Sequence, residues 1–333
     1  MTIDYSIYLE QLKGRRYDEI RKEPVLSEGF FEYDYPDPIK YALESMYEID
    51  PSYSYKLFSE VRKTQDFLTE RLAKAGIQID ARYQGAHNCD SHVQLLGDLE
   101  LMLILKKHGP SPAKDVQKLA TEIMNILTSS GDYSKVDFSD RNRIYVQTKK
   151  PACDISILPA VWVDSKSYRE TGLEINRGVC EFNFAKKTKK VHLSFLNMAR
   201  VNARDRDLEG TLKYVLRLLY SLKKDSEYKI KLGFDELSGI LYNIPEKYFE
   251  VDRSRILSLL PIVSAQLKKL VVSDKYRTRM LAPNRKEYLF GKRPVKRDIY
   301  YLKREVDILT KSCMIALKEF DMTLKSDLEY FED

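Results

Sequence analysis

The 333-residue sequence predicts an α+β protein, with an α/β lobe over residues 1–205, a helical lobe over residues 206–333 and a cleft between them. Two patterns predict this class. Extended runs gather between Ile77 and Phe195, and beyond Asp207 the apolar residues recur at helical spacing instead. A third observation marks a site. Acidic residues open two of the most apolar extended runs, where a lone carboxylate is costly to bury without a partner.

Hydrophobic residues make up 43% of the chain and charged residues 32%, without a low-complexity tract. A sizeable core follows, and disorder is expected only at the ends. The formal net charge of +6 points toward anionic ligands, nucleotides or nucleic acid, without choosing between them. Cys89, Cys153, Cys180 and Cys313 stand far apart with no CxxC pair, which predicts a reduced, cytoplasmic protein. The acidic, aromatic start Met1–Leu9 does not read as a signal peptide. No run approaches the roughly 20 apolar residues that span a membrane, so no membrane insertion is expected.

Taken in order, the Tyr- and Phe-rich opening breaks at Tyr35-Pro36-Asp37-Pro38 and predicts irregular structure with a short helix, Ile39–Tyr47, on the outside of the fold. Leu57, Phe58, Val61, Phe67, Leu68 and Leu72 recur at helical spacing between Ser52 and Ala75, and Gly76 ends that helix. Ile77–Gln84 is the first strand. The linker His87–Gly97 holds His87, Cys89, Asp90 and His92. A structural zinc site needs four well-placed donors and no second cluster accompanies these, so a polar loop lining a nucleotide pocket is expected. Asp98–Leu105 is the second strand. Ser111-Pro112 then starts a helix reaching about Leu127, with Val116, Leu119, Ile123, Met124 and Leu127 inward.

Asn142–Thr148 alternates like a strand, Lys149-Lys150-Pro151 turns, and Cys153–Val163 is an apolar strand carrying Asp154 near its start. Val179–Phe184 and Val191–Phe195 flank Lys186-Lys187-Thr188-Lys189-Lys190. That lysine-rich tip keeps a sheet edge soluble or, in the alternative, steers phosphate or nucleic acid. Asp207 is expected to cap a helix running to Lys224, with Leu208, Leu212, Val215, Leu219 and Leu222 inward and Lys213 and Arg217 sharing a face. Further helices are expected over Asp235–Tyr242, over Arg255–Val272 with a kink at Pro261, and over Arg293–Phe331.

Asp98 and Glu100 lie one strand-step apart and so share a face, while Leu99 and Leu101 turn to the other. Two carboxylates so placed form a hard, oxygen-rich site of the kind that holds Mg²⁺ together with substrate phosphates. The bland alternative is an edge strand with two solvated acids. Asp154 supplies a third carboxylate, and three such groups can clamp two ions about 3.5–4 Å apart for in-line phosphoryl transfer.

Gln84-Gly85-Ala86, a linker, Asp98-Leu99-Glu100 and then Asp154 on a later strand resemble the signature of the DNA polymerase β-like nucleotidyltransferase superfamily. Within it the chain is most similar to the bacterial CD-NTases, relatives of cyclic GMP-AMP synthase and oligoadenylate synthase. Asp154–Ala160, Leu212–Lys223, Leu232–Ile244 and Leu281–Asn284 carry the likeness across the chain. The resemblance implies a mixed sheet flanked by helices. It also implies metal-dependent joining of NTPs or dNTPs into a cyclic or linear oligonucleotide, a second messenger of antiviral defence.

Asp98, Glu100 and Asp154 would then be catalytic and hold Mg²⁺ or Mn²⁺. Gln84, Gly85, Ala86, Lys213 and Arg217 would bind nucleotide. A protein that responds to the product is the implied partner, and a nucleic-acid acceptor stays open. Ala86 replaces the Ser that usually contacts the triphosphate, Gly233 stands where relatives often have a second such Ser, and Tyr220 stands where a Lys is expected. Two other readings therefore remain: a toxin that nucleotidylates tRNA or protein, and a catalytically silent nucleotide sensor.

Overall fold

The structure is a computed structural model that describes residues 3–19, 21–95, 99–139, 141–149, 152–291 and 293–330. It divides into two compact units, Ile49–Ala203 on one side and Met1–Glu48 together with Arg204–Asp333 on the other.

The unit Ile49–Ala203 is built on a mixed sheet, seven-stranded among the described residues. Its order runs Ile79–Gln84, Leu99–Leu105, Asp154–Val163, Ile144–Thr148 and Tyr133–Asp137. Gly178–Asn183 pairs with the second half of Asp154–Val163, and Thr188–His192 lies outside it. Leu99–Leu105 and Asp154–Val163 run parallel, and the other pairings are antiparallel. A parallel central pair is covered on both faces, which explains why both strands read as near-continuous apolar runs. On one face Leu99, Leu101, Leu103, Ile155 and Ile157 pack with Val61, Leu68 and Leu72 of the helix Pro51–Lys74 and with Val116, Leu119 and Ile123 of the helix Pro112–Ser130. Each such fully buried aliphatic side chain contributes about 1.5–3 kcal/mol. The alternate residues Met102, Ile104, Leu158, Ala160, Trp162 and Val179 form a smaller cluster on the other face.

In the second unit the longer helices are Tyr5–Arg15, Asp37–Met46, Thr211–Asp225, Phe234–Tyr242, Leu259–Val272 and Lys296–Tyr330. The opening does not lie outside the fold, as expected from its composition, but is part of this core. Tyr5, Tyr8 and Tyr41 pack ring against ring and are buried. Two of the three hydroxyls meet a carboxylate: Tyr8 donates to Glu305 at 3.0 Å and Tyr41 to Asp225 at 2.7 Å. Arg16 and Glu44 form an ion pair at 2.6 Å, with side chains 1% and 2% exposed. The first 48 residues thus cluster with the helical unit, a division unlike the 1–205 and 206–333 expected.

Four other expectations change. Tyr133–Asp137 is a strand that the sequence reading passed over. Val191–Phe195 is not one run, because the strand ends at His192 and Ser194 opens the helix Ser194–Asp207. Asp207 therefore ends a helix instead of capping one. The break falls at Glu209 and Gly210, with φ 52° and 87°, a left-handed turn that glycine makes cheaply. Pro261 sits in the first turn of Leu259–Val272, where it costs no hydrogen bond, and not at a mid-helix kink.

Candidate active site

Glu100 stands on Leu99–Leu105 with its side chain on the face of the smaller cluster. The antiparallel register sets Gln84 directly opposite, and the Gln84 amide Nε2 donates to Glu100 Oε2 at 2.7 Å. Gly85 follows with φ 82°, and a Cβ there would lie 3.3 Å from the Glu100 carboxyl carbon. Both the backbone turn and the side chain it must clear require glycine at this position. Ala86 is buried, and its carbonyl accepts from the N–H groups of Cys89 and Ser91 at 3.2 and 2.8 Å.

The parallel register pairs Glu100 with Ser156, so Asp154, two residues earlier, shares their face. With strands about 4.8 Å apart and a rise of about 3.3 Å per residue, the α-carbons of Glu100 and Asp154 stand about 8 Å apart. That spacing lets two carboxylates approach one cation. Asp154 is exposed at the start of its strand, and Gln147, its partner in the register, donates from Nε2 to Asp154 Oδ1 at 2.9 Å. Between them the buried Ser156 hydroxyl has no hydrogen-bond partner among the described residues. Asp98 lies outside the described residues. Among those described, no group of three His, Cys, Asp or Glu side chains is gathered to hold a metal.

A cation already sits beside Glu100. The Arg143 Nη1 lies 3.1 Å from Glu100 Oε1. Burial works against the guanidinium charge, but Glu100 and then Glu181 outweigh it and raise the Arg143 pKa. Glu181 Oε1 in turn lies 2.5 Å from His192 Nε2, and the His192 Nδ1 meets the Ser194 hydroxyl. All three are buried. Burial opposes ionisation of Glu181, yet contact with His192 and the charge of Arg143 prevail and hold its carboxyl down at about 2.

The remaining predicted residues have other surroundings. Arg217 is not a surface cation: it is buried, donates from Nε to the Met46 carbonyl at 2.6 Å and packs over Tyr214. Being four residues from Lys213 gave it the same helical face, but that face turns inward at this turn. Lys213 is half-buried, its amine 3.7 Å from Asp205 Oδ2. The Gly233 N–H is taken by Glu236 at 2.7 Å. In the linker, expected as a polar loop lining a nucleotide pocket, Cys89, Ser91, His92 and Val93 are buried. Arg143, Gln147, Ser156 and Glu181 were missed. The signal for the first two was their placement around the strand Ile144–Thr148, which pairs with the Asp154 strand.

No family model matches the chain. A c-di-GMP synthase from Flavobacteriaceae sp. is 25% identical over 344 residues, covering 91% of this chain and 90% of that protein. One from Capnocytophaga granulosa is 25% identical and covers 92% of this chain and 97% of its own length. The solved structure of the STING-associated CdnE c-di-GMP synthase from Capnocytophaga granulosa superposes with a TM-score of 0.74 at 25% identity, over 93% of this chain and 98% of that one. The chain is similar to bacterial CD-NTases over nearly its whole length. It is a nucleotidyltransferase, and its mixed sheet flanked by helices is the fold that the sequence resemblance implied. Glu100 and Asp154 stand on its two central strands, Leu99–Leu105 and Asp154–Val163.

Proposed function

We propose that this nucleotidyltransferase is a CD-NTase that joins two molecules of GTP into a cyclic dinucleotide, the product named for its relatives, using a divalent cation. The observation that carries the reading is the placement of Glu100 and Asp154 on one face of adjacent parallel strands. Their hard oxygen donors, and the unpartnered Ser156 hydroxyl between them, fit a cation that arrives with phosphate oxygens and water. Glu100 and Asp154, with Asp98, would hold Mg²⁺ or Mn²⁺. When bound, such a cation neutralises triphosphate charge and eases deprotonation of the attacking hydroxyl. Gln84 orients Glu100, Gln147 orients Asp154, and Gly85 leaves room for the Glu100 side chain.

The reaction is attack of a ribose hydroxyl on an α-phosphate with release of pyrophosphate, so positioning and charge neutralisation supply most of the acceleration. A second such step closes the ring. The product is a second messenger read by an effector protein in antiviral defence, as the STING association of the similar solved enzyme supports. No described helix is long and apolar enough to cross a membrane, and a cytoplasmic site of action fits soluble nucleotides.

The test is incubation of the purified protein with GTP alone, with all four NTPs and with all four dNTPs, in Mg²⁺ or Mn²⁺, with products resolved by mass spectrometry. Cyclic di-GMP from GTP alone, absent in Asp154→Asn, is the expected result. Turnover that needs tRNA or protein would support the toxin reading instead. GTP binding without turnover would support the silent sensor, which the missing hydroxyl at Ala86 favours.

A further inference from the structure

Arg143 stands just before the strand Ile144–Thr148, whose first residue pairs with Ile157. Side chains alternate along a strand, so Arg143 falls on the face opposite to buried Ile144 and on the same face as Glu100 and Ser156. There two carboxylates act on the guanidinium. Glu100 is one, at 3.1 Å, and Glu181, which the register sets opposite Ala160 on the same face of the sheet, adds its charge. Glu181 cannot turn away, because His192 and Ser194 hold it in a buried chain. Glu100 and Arg143 are 30% and 22% exposed, so their contact is open to exchange as the Glu181 end is not. The site therefore contains its own cation on a fixed tether.

We propose that Arg143 is a positioning residue that guards the metal pocket: it occupies Glu100 when no nucleotide is present, so the divalent cation binds well only in company with a triphosphate. The inference rests on the metal-dependent reading above. A divalent ion entering alone must approach a guanidinium a few ångströms away and compete with it for Glu100. An ion entering with a triphosphate brings negative charge that offsets the guanidinium and gives it a new partner. Arg143 thus couples metal binding to nucleotide binding, and by thermodynamic linkage the coupling runs equally in both directions. Glu181 sets how readily Arg143 leaves, since it pulls the guanidinium away from Glu100.

Titration calorimetry of the intact protein with Mn²⁺, alone and with a non-hydrolysable GTP analogue, tests this. Asp154→Asn fixes the reading of the site, because it should abolish Mn²⁺ binding seen in the wild type. Removing one unit charge from about 5 Å of a divalent ion should tighten binding of Mn²⁺ alone in Arg143→Gln by about tenfold. With the analogue present, wild type and Arg143→Gln should agree within about twofold, and Arg143→Lys should resemble the wild type throughout. Glu181→Gln should shift the other way and weaken binding of Mn²⁺ alone, because Arg143 then pairs with Glu100 undivided.

A purely structural role would weaken binding in both Arg143→Gln and Glu181→Gln. Equal or weaker Mn²⁺ binding in Arg143→Gln, while Asp154→Asn still abolishes it, overturns the guard and leaves the metal site standing. If Arg143→Gln does not fold, unchanged or tighter binding in Glu181→Gln overturns the guard alone. No Mn²⁺ binding by the wild type, with or without the analogue, overturns both.

Discussion

Arg16–Glu44 and Arg143–Glu100 join the same two chemical groups, at 2.6 and 3.1 Å, in different surroundings. The first pair is sealed in the helical unit, with side chains 1% and 2% exposed, and Ser27 completes the Glu44 hydrogen bonds. The second opens to solvent on the sheet unit, with Gln84 as its further partner. Burial decides what each pair can do. A sealed pair has nowhere to send either charge, so it fixes local structure. A half-open pair can change partners, and a ligand or metal can be the new one. Distance and residue type alone would not have separated them.

The largest effect expected from this contrast is in stability. Arg16→Ala strands Glu44 in the core and should cost about 3–5 kcal/mol, whereas Arg143→Ala should cost less, because solvent reaches Glu100 and Glu181 keeps His192. Urea denaturation of the two variants side by side measures both, and equal losses would break the comparison. The next effect is on turnover. Asp154 is exposed, so Asp154→Asn should fold as the wild type does while pyrophosphate release falls by at least about 10²–10³-fold.

Two buried glutamates sharpen the contrast through pH. Glu181 is held at about 2 against an ordinary 4.5, so the folded state binds its proton less tightly than the unfolded chain. Its contribution is complete above 4.5 and is lost as pH falls from there toward 2. Burial pushes the Glu44 carboxyl up in spite of Arg16 and Ser27, which reverses the sign, so stability falls as pH rises through its raised value. Melting temperature followed against pH in Glu181→Gln and Glu44→Gln should lose slopes of opposite sign.

A smaller effect is expected at Gly85. Alanine there meets an unfavourable backbone angle and the Glu100 carboxyl, and should cost about 1–2 kcal/mol together with a drop in turnover. The smallest belongs to the hairpin tip. Lys186 and Lys187 are exposed at the turn, so Lys186→Ala and Lys187→Ala should each change stability by less than about 0.5 kcal/mol, read by thermal melting.

Much of the sheet was legible because strand periodicity is local. Leu99–Leu105 and Asp154–Val163 carry their apolar residues without interruption, and their acids stand out at the ends. The helices Pro51–Lys74 and Pro112–Ser130 were equally readable from spacing and caps. The short strand Tyr133–Asp137 was not, since only partial burial marks it and its place depends on pairing with Ile144–Thr148. The opening misled because tyrosine can be surface or core. For Tyr41 and Tyr8 the deciding partner is a distant carboxylate, Asp225 or Glu305, that meets the hydroxyl.

The sequence by itself determined the α+β class, the two central strands, and which acids stand at their starts, because alternation and acid spacing act over a few residues. Only the tertiary structure decided that Arg217 turns inward to Met46 and that Arg143 stands beside Glu100. A charged side chain takes its role from what meets it across the fold. Those partners lie 171 positions away for Arg217 and on a different strand for Arg143, beyond the reach of any local pattern.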